Sequence, residues 1–325
     1  MNKTGNKLAP IYAMYAFLIF SAVPYNSVYG LESQKDSINI NEQTKVSSLS
    51  EAPLFTQVNF SQTAREIFVN PKYTGEIISV TSITGNKDGA KIDVKETNSG
   101  WKKVTVSPSK PVMKGFQVTG LKGSLRVSLS DVKVPAQVNK IQPLNDLVIS
   151  FGELNATLLL PVNKISDPGN FGIDMLDYKR NEFISGDVIA ISNNQMAVKF
   201  SDLPSTVINR NGTVRVSIRR PNNNFIGADI KAWGYNILVP EIETGKSIPI
   251  KAKIFGLPED TELRFTFNPA SGQRITPSSR TLSVEKINSG APLATVVTSI
   301  PGSQPLRVVV EKVNKSMGQK PGIKS

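Results

Sequence analysis

The chain has 325 residues, with 38 Lys and Arg against 26 Asp and Glu for a net charge of +12, and it contains neither cysteine nor histidine. The missing cysteines rule out disulfides, thiolate nucleophiles and a cysteine-borne lipid anchor. Together with the missing histidines they rule out Ser-His-Asp and Cys-His triads, imidazole proton shuttles and thiolate or imidazole metal sites. No Walker loop or dinucleotide fingerprint is present, so no cofactor is expected.

Lys3 and Lys7 precede an apolar run from Ile11 to Val23, which is followed by Pro24 and a short polar stretch ending Val28-Tyr29-Gly30. This is the three-part layout of a secretory signal peptide over residues 1–30, cleaved after Gly30. As a helix the run would reach only about 20 Å at about 1.5 Å per residue, short of a hydrocarbon core of about 30 Å. Export with cleavage is therefore expected, to the periplasm, the cell surface or the medium, with no membrane span in the mature chain. Removing the signal leaves 36 basic against 26 acidic residues, a net charge of +10. An exported chain of repeated domains without cysteine fits a bacterial source.

Residues 31–54 are polar and rich in Ser, Asn, Gln and Lys, and read as a flexible leader. After it one phrase is written three times where a strand follows a glycine turn: Gly123-Ser124-Leu125-Arg126-Val127, Gly212-Thr213-Val214-Arg215-Val216, and more loosely Gly302 to Val310 around Arg307. Arg126 and Arg215 are 89 residues apart, Arg215 and Arg307 92, which is the length of one immunoglobulin-like sandwich. The expected fold is all-β, three tandem Ig-like antiparallel β-sandwiches. Each arginine alternates with apolar neighbours and so sits on an outward face, where a charge discourages pairing between chains.

The first sandwich is expected over 55–137. Its strands lie near Glu76–Ile83, Lys91–Val94, Lys102–Val106, Phe116–Leu121 and Ser124–Val134, punctuated by turns such as Asn98-Ser99-Gly100. In the last of these, Val132 and Val134 break parity with Leu125, Val127 and Leu129, which asks for a bulge or a break at Ser130-Asp131. Pro135-Ala136-Gln137 is the expected joint.

The second sandwich is expected over 138–239, with strands at Val188–Ile191, Met196–Phe200, Thr213–Ile218 and Ile230–Val239. Its stretch 163–187 lacks strand alternation and reads as an irregular insertion rich in acids: Asp167, Asp174, Asp177, Glu182 and Asp187. The third spans 240–313. Ile248, Ile250, Ala252 and Ile254 alternate with lysines, and Leu263, Phe265 and Phe267 with Arg264 and Thr266, as in half-buried strands. Further strands are expected at Ser283–Glu285, Leu293–Val297 and Leu306–Val310, and no helix anywhere after Gly30. Residues 314–325 read as a basic disordered tail.

From Glu243 to Glu311, the order Gly245-Lys246-Ser247, apolar strand, Gly256-Leu257-Pro258, second strand ending Asn268-Pro269, then Ile275-Thr276-Pro277-Ser278-Ser279 resembles bacterial Ig-like domains of the Big and invasin kind. Met196–Pro204 followed by Asn211–Ile218 is similar to the end of an IPT/TIG-type domain. The resemblance implies an extracytoplasmic rod or binding module. The cysteine pair and partnering tryptophan of antibody domains are missing.

The candidate contact residues are few. Trp101 follows Gly100 at a turn, and Trp233 and Tyr235 share one face of a strand that Ile237 continues. Either set would serve as a sugar platform, or as core or a domain joint. Lys102-Lys103 and Arg219-Arg220 are the basic pairs singled out before the tail. The five acids of 163–187 would suit a two-carboxylate hydrolase, with carboxyl groups about 5 to 9 Å apart, a calcium site, or simply a polar surface. The leading expectation is a non-enzymatic structural or adhesive protein. The alternatives are a binder of carbohydrate or anionic envelope polymer and a carboxylate-only hydrolase. Envelope polysaccharide or another surface protein is the expected partner, and nucleic acid is not, since no aromatic-rich basic sheet accompanies the charge.

Overall fold

The computed structural model describes residues 54–83, 91–107, 114–150, 152–162, 165, 167–220, 224–239, 243–299 and 307–313. The expected signal peptide, the leader up to residue 53 and the basic tail lie outside them.

The first part of the chain runs through β1 (Leu54–Ser61), β2 (Glu66–Val69), a single helical turn α1 (Pro71–Thr74), β3 (Ile77–Ser82), β4 (Lys91–Glu96), β5 (Lys102–Ser107), β6 (Gly115–Gly120) and β7 (Gly123–Ser130). The α1 turn forms because the Asn70 side chain accepts from Lys72 N and Pro71 opens it. β1, β7, β6 and β3 make one sheet, and β2, β5 and β4 lie in the sheet that faces it. Phe60, Phe116 and Leu125 from the first meet Ile67, Val104 and Val106 from the second in a buried core. The extension of β7 to Val134 is not realised, neither as a bulge nor as a resumed strand. Its partner β1 ends with Ser61 opposite Ser130, so no ladder is left for Val132 and Val134 to join.

The middle part contains β8 (Gln142–Pro143), β9 (Leu147–Ser150), β10 (Gly152–Leu159), β11 (Gly172–Asp177), β12 (Glu182–Ser192), β13 (Gln195–Leu203), β14 (Thr213–Arg219) and β15 (Phe225–Leu238). The expected irregular insertion 163–187 is in large part a hairpin: β11 and β12 pair from Ile173↔Gly186 to Asp177↔Glu182. The start of β12, with β11, β14 and the start of β15, forms one layer. The end of β12, with β13 and β10, forms the other. Ile173, Met175, Val214, Val216 and Ile218 pack against Leu158, Met196, Val198 and Phe200 between them.

The last part runs through β16 (Ser247–Phe255), β17 (Glu262–Asn268), β18 (Gln273–Thr276), β19 (Ser279–Ser283), the short helix α2 (Val284–Asn288), β20 (Ala294–Thr298) and β21 (Arg307–Lys312). β18, β20, β16 and the end of β15 face β19, β17 and β21 across a core of Ile250, Ile254, Leu263, Phe265, Val296 and Trp233. The expected strand at Ser283–Glu285 is instead the start of α2. The Ser283 side chain accepts from Lys286 N, and Val284 and Ile287 bury the same helical face three residues apart.

The chain is all-β, with twenty-one strands, two short α-helices and one 3-10 turn (Ser205–Val207) among the described residues. Pairing is antiparallel except at β1–β7 and β9–β15, which are parallel and so depart from a purely antiparallel expectation. No helix among the described residues is long and apolar enough to cross a membrane.

The three cores are not separate beads. On β2, Ile67 and Val69 face the first core while Phe68 faces the middle one. β13 repeats this with Ala197 against Met196 and Val198. On β9 and β15, Leu147, Ile149 and Ala232 face the middle core while Val148, Trp233 and Tyr235 face the last. Strands buried on both faces read as continuous apolar runs, which is why Val188-Ile189-Ala190-Ile191 does not alternate.

Candidate functional site

The hairpin β11–β12 places its side chains by simple parity. Ile173 and Met175 point inward, so Asp174 and Leu176 point outward, and Leu176 stands opposite Phe183. At the turn, Asp177 is buried and its carboxylate accepts from the N–H groups of Lys179 and Arg180, with Arg180 Nε 3.8 Å away. The Thr206 hydroxyl bond lowers the Asp177 pKa most, burial opposes it, and the two N–H groups and the Arg180 charge complete a net downward shift. Asn181, at φ +56°, closes the turn in the left-handed region that asparagine tolerates.

This turn stands against the Asn209–Thr213 loop, joined to the Ser205–Val207 turn by Tyr178 N donating to Thr206 O. Asn209 organises the loop: its Oδ1 accepts from Asn211 N and Thr213 N, and its Nδ2 donates to Thr213 Oγ1 at 2.7 Å and to the Tyr178 hydroxyl at 3.4 Å. Next along the sheet, Arg215 and Asp229 form an ion pair of 3.0 Å across the β14–β15 ladder.

Together Leu176, Tyr178, Asn181, Phe183, Asn209, Asn211, Thr213, Arg215 and Asp229 line an open depression of about 690 Å³. Tyr178 is 38% exposed and Phe183 57%. Phe183 leaves more than half of its surface in solvent, and exposed aromatic surface rimmed by polar groups marks interaction surfaces.

Of the residues singled out from the sequence, Arg215 lines this depression and the other candidates lie elsewhere. Trp101, 6% exposed, is held at the β4–β5 turn by Thr97 and packs with Phe68 into the middle core. Trp233, 4% exposed, belongs to the last core, 6.0 Å from the Tyr235 ring and beneath the Lys312 ammonium. Neither indole offers an open face to a sugar. Lys102 pairs with Glu96, while Lys103 pairs with Glu66 at 2.8 Å and lies over the Phe68 ring. Arg219 lies across Gly172, and Arg220 Nε is buried with no hydrogen-bond partner among the described residues. Arg126, Arg215 and Arg307 are all exposed on their strands.

Four of the five acids of 163–187 serve local structure, and Glu182 is exposed. Asp167 binds Ser99 of the β4–β5 turn, Asp174 accepts from Ser185 Oγ at 2.6 Å, and Asp187 pairs with Lys72 at 2.6 Å. Burial works to raise the Asp187 pKa, but the Lys72 ammonium and the Tyr73 hydroxyl outweigh it, and the carboxyl titrates below its usual range. Burial and then Asp187 push the Tyr73 phenol upward. Among the described residues no group of three or more acids is placed to hold a metal ion.

Sequence reasoning passed over Tyr178 and Phe183 because the hairpin reads as irregular. The signal was in that irregularity: Met175-Leu176 and Phe183-Ile184 put apolar side chains on both faces of a strand whose outer face is exposed.

No protein-family model matches the chain. No curated protein matches it either. Among solved structures, a DUF4785 family protein from Legionella pneumophila is 10% identical, with 67% of this chain and 52% of that one covered and a TM-score of 0.21. The IG1+IG2 fragment of DIP-gamma is 8% identical, with 53% and 95% covered and a TM-score of 0.18. Extracellular cadherin domains 1–5 of protocadherin gamma B2 are 12% identical, with 76% and 52% covered and a TM-score of 0.16.

Proposed function

We propose that this chain is an exported, non-enzymatic adhesive protein, built of three Ig-like sandwiches over 55–137, 138–239 and 240–313 that share strands at their joints, with the end of β15 completing the last, and that it works at or outside the cell envelope. The observation that carries the reading is the exposed Tyr178 and Phe183 pair, set among asparagines on the outer face of a sheet whose inner face is core. Folding leaves that surface in solvent, where a partner would cover it. The absence of histidine and cysteine supports a role without covalent chemistry, as does the engagement of Asp167, Asp174, Asp177 and Asp187 in local bonds. Strands shared between neighbouring cores hold the binding face on a stiff support.

The test is co-sedimentation of the purified exported protein with the source organism's envelopes at low and high salt. Pelleting at low salt, with a fraction that survives high salt, supports adhesion through contacts beyond bulk charge. Absence from the pellet at both salts sinks the adhesive reading.

A further inference from the structure

We infer that the depression between the β11–β12 turn and the Asn209–Thr213 loop is a binding site for an acidic polysaccharide, one whose sugar rings carry carboxylates. This deepens the adhesive reading above and rests on it. Three features of the site converge on that ligand chemistry.

Tyr178 and Phe183 present aromatic surface to solvent, and Leu176 continues it between β11 and β12. Exposed aromatic and aliphatic surface of this kind takes the C–H face of a pyranose ring, an apolar body with a polar rim. Asn209 holds the Tyr178 hydroxyl, so that ring is positioned before any ligand arrives.

Asn181, Asn211 and Thr213 stand around the aromatic surface, and the first two are exposed. Each carboxamide offers a carbonyl acceptor and two donor hydrogens, which matches adjacent hydroxyls that both donate and accept.

Charge then selects among sugars. Exposed Lys179 and Arg180 form the turn between Tyr178 and Asn181, exposed Arg210 lies between Asn209 and Asn211, and exposed Lys231 stands opposite Thr213 in the ladder. Arg215 is the fifth basic group of the patch. Two of the five are paired, Arg215 with Asp229 and Arg180 with the buried Asp177; Asp174 shares the outer face with Leu176 and is bonded to Ser185, and Glu182, opposite Asp177, is exposed. Arg215 lines the depression and the other four adjoin its lining residues in the chain or the ladder, and a basic surround of this kind fits a carboxylate-bearing chain, with the charges supplying attraction and the aromatics salt-resistant affinity.

The test is calorimetric titration of the purified exported protein with a short oligogalacturonate and, in parallel, a neutral cello-oligosaccharide of equal length. The acidic oligomer is expected to bind at least about tenfold more tightly, with the difference shrinking as salt rises. Phe183→Ala and Tyr178→Ala should each weaken binding by roughly tenfold, while Tyr178→Phe, which keeps the ring and loses only the bond to Asn209, should bind more tightly than Tyr178→Ala. Phe225→Ala, 62% exposed at the far end of the same sheet, should leave binding unchanged. Equal affinity for the two oligomers overturns the assignment to acidic glycans, and no binding of either overturns the site. Undiminished binding by the Phe183→Ala and Tyr178→Ala variants overturns it as well. If envelope pelleting persists in those cases, the adhesive reading stands and only the site has failed.

Discussion

Phe68 on β2 stands opposite Ile191 on β12, and both side chains enter the middle core while Ile67, Val69 and Ala190 beside them enter the first. A strand pair that belongs to two cores makes each depend on the other. Truncation by Phe68→Ala should cost about 3–5 kcal/mol, the usual loss for a fully buried phenylalanine. The first and middle cores should still unfold in one transition, so denaturant curves read by circular dichroism and by fluorescence should coincide. Two separated transitions would contradict the shared layer.

The two indoles should behave as core groups. Native emission is expected to be blue-shifted and poorly quenched by acrylamide, with quenching rising on unfolding, because Trp101 and Trp233 are both buried. Single-tryptophan variants, Trp101→Phe and Trp233→Phe, separate the middle core from the last. Saturation with the oligogalacturonate should leave both emissions in place. A ligand-dependent shift in either would return that tryptophan to the binding surface.

Acid should destabilise the protein through Asp177 and Asp187, whose carboxyl groups are both held below their usual range when folded. A lowered folded pKa gives stability that is complete above the unfolded value, about 3.9, and is lost as pH falls through the folded value. Stability is therefore expected to be level between about pH 5 and 7 with respect to these groups and to drop below about pH 4. Asp187→Asn should flatten part of that drop in thermal melts across the acid range. Asp177→Ala should cost about 0.5–2 kcal/mol at neutral pH, since the turn loses its acceptor, and Asp177→Asn less.

Gly115 opens β6 at φ +146°, where an added Cβ would lie 2.1 Å from the Val127 carbonyl oxygen. Neither the backbone angle nor the neighbouring strand can yield cheaply. Gly115→Ala should lower the denaturation midpoint by an amount worth more than about 1 kcal/mol. A midpoint equal to that of the parent would mean that β6 and β7 can separate at this end.

Much of the strand content was legible because single-faced strands alternate. Leu263, Phe265 and Phe267 against Arg264 and Thr266 could be read directly, and the structure places them as β17. The absence of histidine and cysteine likewise limits the available chemistry before any fold is known. Periodicity records only whether a side chain is apolar, not which core it enters. That Phe68 and Trp101 leave the first part of the chain for the middle core, and that β15 passes from the middle core to the last, follows from long-range strand pairing. The same limit hid the candidate site. Leu176 and Phe183 blurred the alternation of their strands, and only the pairing of β11 with β12 and β14 puts them on an outer face beside Asn209 and Arg215. Composition and local pattern settle the single-faced strands, while the β11–β12 hairpin and α2 escaped them. Burial of both faces of shared strands settles how they join, and that depends on contacts between residues more than a hundred positions apart, such as Ser61 N with Gln195 Oε1.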